Sequence, residues 1–165
     1  MQTRRITELD ANDFKLMRLA ALKDAPSAFG STYAAETGRP DAEWTQRAVA
    51  GAQGSDRATF FAQLDGEFVG LVGGYREQPS SAIVELVSMW VAPHVRNRGV
   101  GAALVDTVTD WATATNATSI SLWVTIGNAP AETLYRSKGF VATGQIQPLP
   151  SDPSKTEARM TRLLP

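Results

Sequence analysis

Glu85-Leu86-Val87-Ser88-Met89-Trp90-Val91-Ala92-Pro93-His94-Val95-Arg96-Asn97-Arg98-Gly99-Val100-Gly101 is the stretch on which the reading of this chain turns. With Ile83 and Val84 ahead of it, it begins as an apolar run rich in β-branched residues. A short apolar run before a proline predicts a strand buried on both faces. Pro93, which has no N–H to give a ladder, helps end it. In a regular strand Glu85, Val87, Met89 and Val91 share one face. Beyond Gly99, the residues Val100, Leu104, Val108 and Trp111 recur at spacings of three and four, which predicts a helix with one apolar face. The local plan is strand, basic glycine-containing turn, helix.

That turn suits an anion. N–H groups at a helix start lack partners, and the helix dipole makes that end positive. Gly99 and Gly101 carry no Cβ, so a ligand can approach the main chain. Arg96 and Arg98 add charge and bidentate donors. The combination predicts a pyrophosphate site. It is not a Walker P-loop, since GxxxxGK[ST] is absent, and GxGxxG, the dinucleotide fingerprint, is absent too.

Arg96-x-x-Gly99-x-Gly101, behind Met89-Trp90-Val91-Ala92-Pro93, resembles the acetyl-CoA signature of the GCN5-related N-acetyltransferases. A second piece, Asn128-Ala129-Pro130-Ala131 followed by Leu134-Tyr135-Arg136-Ser137-Lys138-Gly139-Phe140, resembles that family's N-x-x-A-x-x-L-Y-x-x-x-G-F signature. The resemblance is tight over roughly residues 83–141 and rests elsewhere on element order. It implies a mixed, mostly antiparallel central sheet of about six or seven strands flanked by helices, an α+β acyl-CoA acyltransferase fold.

Composition sets the frame. Residues 1–165 have the size of one domain with a proper core. Hydrophobic residues make up 43% and charged ones 20%, as in globular chains. Lys plus Arg is 16 and Asp plus Glu is 17, a net charge of −1. That balance favours neither nucleic acid nor an anionic membrane as a bulk partner. There are no cysteines, which removes disulfides, a Cys nucleophile and thiolate metal sites. His94 is the only histidine, in the turn after Pro93, and no metal is expected. Neither a transmembrane run nor a signal-peptide core is recognisable, so the expected compartment is the cytoplasm.

In chain order, Arg4 to Leu9 reads as a first strand, and Asp10 or Asn12 as the cap of a helix that Asp24-Ala25-Pro26-Ser27 breaks. Ala28 to Thr37 reads as a second helix, and Asp41 through Val49 as a third. Arg57–Leu64 and Glu67–Tyr75 flank Asp65-Gly66, a strong hairpin signal. Gly70, Gly73 and Gly74 in its second arm mark a bulge or close backbone packing. After the helix from Val100 to Thr115, Ser119–Val124 is a buried strand. Asn128 caps a helix through Ser137, and Gly139 suits the left-handed position beyond it. Phe140–Ile146 reads as a strand, Gln147–Thr156 as a proline-rich loop and Glu157–Leu164 as the closing strand. Trp44 and Trp111 read as core.

The resemblance implies attack of an amine on the thioester of acetyl-CoA. An alkyl amine, with a pKa of about 10.4, must first lose a proton, and the oxyanion and departing thiolate need stabilising. Arg96, Asn97, Arg98, Gly99, Val100, Gly101 and Ala102 would wrap the pyrophosphate. Trp90 and Val91 would pair with the pantetheine arm as if it were an added strand, a backbone N–H near Val91 facing the thioester carbonyl. Asn128 would reach the pantetheine, or cap its helix, or both. Tyr135 is the candidate acid for the thiolate; the alternative is a packed aromatic on an amphipathic helix. Glu85 is the candidate base, since a carboxylate in an apolar strand is costly unless paired or useful, and burial would make it a stronger base. The alternatives are water as the base, with Glu85 an exposed strand end or a structural partner for an arginine. Tyr33 and Glu36 border the acceptor pocket by resemblance, and could recognise an ammonium or be ordinary helix surface.

Three functions remain open on the sequence. The first is an N-acetyltransferase for a primary amine of a small or amino-acid-like acceptor. The second acts on a protein N-terminus or lysine. The third is a CoA-binding sensor or interaction module without turnover. Homodimers occur in the family, and exposed edge strands could pair.

Overall fold

The computed structural model describes all 165 residues. One seven-stranded sheet runs through it in the order β1-β2-β3-β4-β5-β7-β6. The strands are β1 (Gln2–Arg5), β2 (Arg57–Leu64), β3 (Glu67–Tyr75), β4 (Ile83–Val91), β5 (Ser119–Thr125), β6 (Val141–Leu149) and β7 (Asp152–Leu163). The helices are α1 (Ala11–Asp24), α2 (Tyr33–Thr37), α3 (Asp41–Ala52), α4 (Val100–Ala114) and α5 (Ala129–Ser137). Every neighbouring pair is antiparallel except β4 and β5. That parallel pair needs a crossover, and α4 supplies it. The mixed sheet flanked by helices matches the fold the resemblance implies. No helix is long and apolar enough to cross a membrane.

α4 covers one face of β2 and β3, α1 and α3 the other. The glycines of β3 are there for packing: a Cβ on Gly74 would sit 2.8 Å from Trp111 and 2.9 Å from Val108 of α4. Their absence lets helix and sheet close up at native density. Trp44 and Trp111 are both buried, as expected. The Asp65-Gly66 hairpin has the predicted ends, both turn residues having positive φ.

Several sequence boundaries move. The first strand is Gln2–Arg5, and Glu8–Asp10 is a 3-10 turn rather than strand. Asp10 does not cap α1 with its side chain. Its carboxylate instead takes two hydrogen bonds from Arg4, at 2.7 and 2.8 Å, and one each from the Thr7 N–H and hydroxyl. The helix expected over Ala28–Thr37 shrinks to a 3-10 turn at Pro26–Ala28 and the short α2, which Thr32 caps. The proline-rich segment 147–156 is mostly strand: β6 runs through Pro148 to Leu149, and β7 starts at Asp152. Pro148 is tolerated because β6 is the sheet edge, where an absent N–H breaks no ladder on the open side, and Pro153 stands at the start of β7, ahead of its pairing with β5 from Glu157. β4 is less buried than an apolar run suggests, with Ile83 and Val87 exposed.

The Arg4–Asp10 pair ties β1 to the start of α1. Hydrogen bonding from Arg4, against the opposing cost of burial, and with help from Thr7, lowers the Asp10 carboxyl from 3.8 to about 2. A carboxylate lowered by folding stabilises fully above its unfolded value and loses that contribution as pH falls through its folded one. Asp10→Asn is therefore expected to lower the denaturant midpoint at neutral pH. The gap to the wild type should narrow as pH drops from 3.8 toward 2, measured by urea titration across that range.

Candidate active site

The site is made by one extra residue in β4. From Leu71 to Gly73, β3 advances two residues; opposite them β4 advances three, from Trp90 back to Val87. The surplus residue is accommodated at Ser88, whose φ is 56°. A bulge of this kind reverses the alternation of side chains. Glu85 and Val87 therefore do not share a face with Met89 and Val91. Val87 lies beside Phe14 and Arg47, on the α1 and α3 side. Met89 and Val91 pack toward Gly101 on α4, where an added Cβ would sit 3.3 and 3.7 Å from them.

Past the bulge β4 has a partner on one side only. Its parallel pairing with β5 covers Ile83, Val84 and Glu85, opposite Ser119, Ile120 and Ser121, and then stops. The strands part into a cleft of about 100 Å³. Leu86 to Met89 line one wall, Trp123 to Thr125 the other, and Asn128, Ala131, Leu134 and Tyr135 of α5 close one side. On the β3 side the Ala92 N–H donates to the Val69 carbonyl at 2.8 Å. In an antiparallel ladder the next residue then turns its polar groups the other way. The Val91 carbonyl accordingly accepts from Arg96 Nε at 3.0 Å, and the Val91 N–H faces the gap with no strand to receive it.

The basic turn adopts two left-handed residues, Asn97 (φ 61°) and Gly99 (φ 81°), before α4 begins at Val100. The first intrahelical bond is Ala103 N–H to the Gly99 carbonyl, so the N–H groups of Val100, Gly101 and Ala102 are free, as at any helix start. Nothing lies within 4 Å of a Cβ built on Gly99. The side chain of Arg96, however, is engaged: beside the Val91 carbonyl it pairs with Asp24 at the end of α1. Asp24 also accepts from Trp90 Nε1 at 2.9 Å. The Trp90 hydrogen bond, against desolvation and with the aid of Arg96, holds the Asp24 carboxyl below the ordinary carboxylate value. Arg96 thus holds the turn in shape, while the main chain and Arg98 are left to face an anion. His94 is exposed.

Tyr135 is buried on α5, with its ring edge-to-face on Phe140 at 5.8 Å. Burial pushes its phenol well above the usual tyrosine value, so it stays protonated. Asn128 caps α5, its Oδ1 accepting from the Ala131 N–H at 3.4 Å, and lines the cleft as well. Glu85 is buried and forms a two-pronged pair with Arg159 of β7, whose guanidinium stacks on Trp123 at 5.3 Å. It lies outside the walls of the cleft that hold Tyr135. Tyr33 is exposed. Glu36 is buried, with its Oε2 accepting from Arg39 Nε at 3.0 Å and Arg47 Nη1 at 2.7 Å. Desolvation works to raise the Glu36 carboxyl, but Arg47 and the charge of Arg18 outweigh it and hold it below the usual value. Both bonds fall on one oxygen, so Glu36 is held inside an arginine cluster.

Sequence reasoning missed Ser88, Asp24, Arg47 and Arg159. Ser88 carries no glycine or proline signal, and Arg159 and Arg47 meet their acids across separations of 74 and 11 residues. Asp24 sits in a helix-ending Asp-Ala-Pro that gives no hint of a partner at Trp90.

A family model described as "Acetyltransferase (GNAT) family" matches residues 19–140. No curated protein matches the chain. Among solved structures, an acetyltransferase of GNAT family from Streptococcus pneumoniae is 21% identical over 99% of both chains, with a TM-score of 0.82. A spermidine N-acetyltransferase from Vibrio cholerae, in complex with CoA and spermine, is 18% identical over 98% of this chain and 94% of that one, with a TM-score of 0.78. A nourseothricin acetyltransferase is 30% identical over 67% of this chain and 66% of that one, with a TM-score of 0.61. At their identities the first two likenesses speak for the fold.

Asp24 holds two donors of unequal worth. Trp90 is buried, whereas the Arg96 side chain is 45% exposed, and exposed pairs contribute about 0.2–1 kcal/mol. Removing the acceptor of a covered donor costs about 1–3 kcal/mol. Double-mutant cycles on urea midpoints, Asp24→Ala with Trp90→Phe and with Arg96→Met, should therefore return the larger coupling for Trp90.

Proposed function

The chain belongs to the GNAT acetyltransferase family, and on that premise we propose that it transfers the acetyl group of acetyl-CoA to a primary amine of a small, amino-acid-like acceptor by direct attack. The observation that carries this is the parting of β4 from β5 after Glu85. It leaves an open strand edge at Val91 that runs to the free N–H groups of α4. The diphosphate would lie against the main chain from Arg96 to Ala102, with Arg98 as counter-charge. The pantetheine amides would take the free edge of Trp90–Val91, as an added strand does. The Val91 N–H would then donate to the thioester oxygen as it gains charge.

In the chemical step the amine nitrogen attacks the thioester carbon, the C–S bond breaks, and the sulfur leaves with its electron pair. Tyr135 is the acid that protonates it. A free thiol has a pKa of about 8.5, below that of a phenol. The burial that raises the phenol also raises a thiolate formed beside it, which brings the two closer. The amine's proton leaves through Glu85 or through water. Glu85 is engaged by Arg159 and lies outside the walls of the cleft that hold Tyr135, which favours water. Asn128 serves both as helix cap and as cleft wall.

Acetyl-CoA at about 100 times its dissociation constant should add about 2.7 kcal/mol to stability. At about 2–4 °C per kcal/mol this is a rise of roughly 5–10 °C in melting temperature. The rise should vanish in Gly99→Glu, which sets a carboxylate and a strained left-handed residue at the turn. Its persistence there would place the donor elsewhere. Tyr135→Phe should keep the rise and lose about 100-fold or more in thiol release. An unchanged rate removes Tyr135 as the acid, and a rise without turnover of any amine, peptide N-terminus or lysine leaves a CoA-binding module.

A further inference from the structure

The buried carboxylates of this chain are Asp10, Glu36, Glu85 and Glu157. The first three are met by arginines: Asp10 by Arg4, Glu36 by Arg39 and Arg47, and Glu85 by Arg159. Glu157 of β7 is 7% exposed and has no ion pair. The cations two residues either side of it are spent elsewhere, Lys155 on Asp152 and Arg159 on Glu85. Its side-chain partner is Gln147 of β6, whose Nε2 donates to Oε1 at 2.6 Å. The second oxygen, Oε2, accepts no hydrogen bond. It is not sealed from solvent as the partnerless nitrogens of Arg18, Trp44 and Trp111 are. A carboxylate taken out of water needs a partner, and here the chain supplies no cation.

Its position says where the partner comes from. Glu157 stands opposite Thr125 of β5 on one side and opposite Gln147 of β6 on the other. Residues so paired turn their side chains to one face, with Cβ atoms about 5 Å apart. Thr125 is on the wall of the cleft that holds Tyr135. Gln147 lines a polar groove of about 600 Å³, together with Glu77, Glu85, Gln145 and Arg159. Trp123, two residues before Thr125, lines the cleft and the groove alike. Ala28 and Phe29, which also wall the cleft, belong to a segment tied down at this corner. The Thr125 hydroxyl donates to the Ser27 carbonyl at 2.6 Å, and the Ser151 hydroxyl donates to the Phe29 carbonyl. The row Thr125, Glu157, Gln147 therefore spans from cleft to groove, with the open carboxylate in its middle. We propose that Glu157 binds the ammonium of the acceptor, which reaches the thioester by way of the polar groove. The ammonium donates to Oε2 and supplies the missing cation. It then loses one N–H proton to water, and the electron pair left on nitrogen attacks the thioester carbon. Glu85 does not compete for the ammonium, because Arg159 engages both of its oxygens. This inference rests on the transferase reading above and adds to it the residue that selects the acceptor.

The test is Glu157→Gln, which removes the charge but keeps a side-chain oxygen to accept from Gln147. Thiol release from acetyl-CoA is measured with α-amino acids and simple alkylamines on the wild type, Glu157→Gln and Glu157→Asp. Glu157→Gln should raise KM for the preferred amine by about 10-fold or more, the loss expected for one charge-assisted hydrogen bond. Glu157→Asp, which keeps the charge, should recover part of it. The melting rise with acetyl-CoA should persist in both variants. An unpaired buried carboxylate costs stability in the free protein, so Glu157→Gln should melt no lower than the wild type, whereas loss of a purely structural carboxylate would lower it. An unchanged KM, a clear drop in melting temperature, or loss of the acetyl-CoA rise in a folded Glu157→Gln would overturn the assignment. So would a wild type that turns over none of these amines while acetyl-CoA still raises its melting temperature. If acetyl-CoA gives no rise in the wild type, the transferase reading fails first and takes this inference with it.

Discussion

The fork between β4 and β5 depends on a conflict of geometry inside one strand. β4 must pair antiparallel with β3 along its length and parallel with β5. The extra residue at Ser88 lets it satisfy β3 on both sides of the bulge while turning away from β5. Bulges bend a strand and raise its local twist. Here the bend leaves main-chain groups of β4 unpaired at the centre of the sheet, which is normally costly. A ligand with its own amides can meet that need, and a strand edge open in mid-sheet is otherwise hard to account for.

The rest of the site is arranged around keeping that fork in place. Asp24 at the end of α1 takes the Trp90 indole and the Arg96 guanidinium. One carboxylate thereby ties the strand beyond the bulge, the basic turn and the helix on the other face into a single frame. Arg96 also caps the Val91 carbonyl. The far wall is held by α5, through Lys138 on Asp106 of α4 at 2.6 Å and the packing of Tyr135 on Phe140. None of these contacts is large by itself, and the exposed ones contribute little to stability. Their effect is on position: they fix where free N–H groups point, which is what electrostatic stabilisation in a site requires.

The acids of the α1, α2 and α3 side tell a different story from the one their sequence positions suggest. Glu85 and Glu36 are both buried, and both are met by arginines from distant segments. Charge taken out of water is kept only where it is paired. Glu36, expected either to recognise an ammonium or to be ordinary helix surface, is instead buried and paired with Arg39 and Arg47.

The sequence alone determined the elements that rest on local chemistry. The Asp65-Gly66 hairpin, the strand-turn-helix from β4 into α4, the Asn128 cap and the left-handed Gly139 all follow from which residues tolerate a given φ or supply a given hydrogen bond. The two motifs lie in such local units, so the donor side of the site was legible. What pairs across long separations was not. Nothing in the serine at position 88 announces a bulge, because the bulge exists only relative to the register of β3. The faces of Met89 and Val91 were misassigned for that reason. Likewise the helix expected over residues 28–37 shortened to α2, and Pro148 fell on a sheet edge that only the strand order creates. Local propensities set what each segment can form, whereas register, edge and charge pairing are properties of two segments at once, and only the folded chain brings those together.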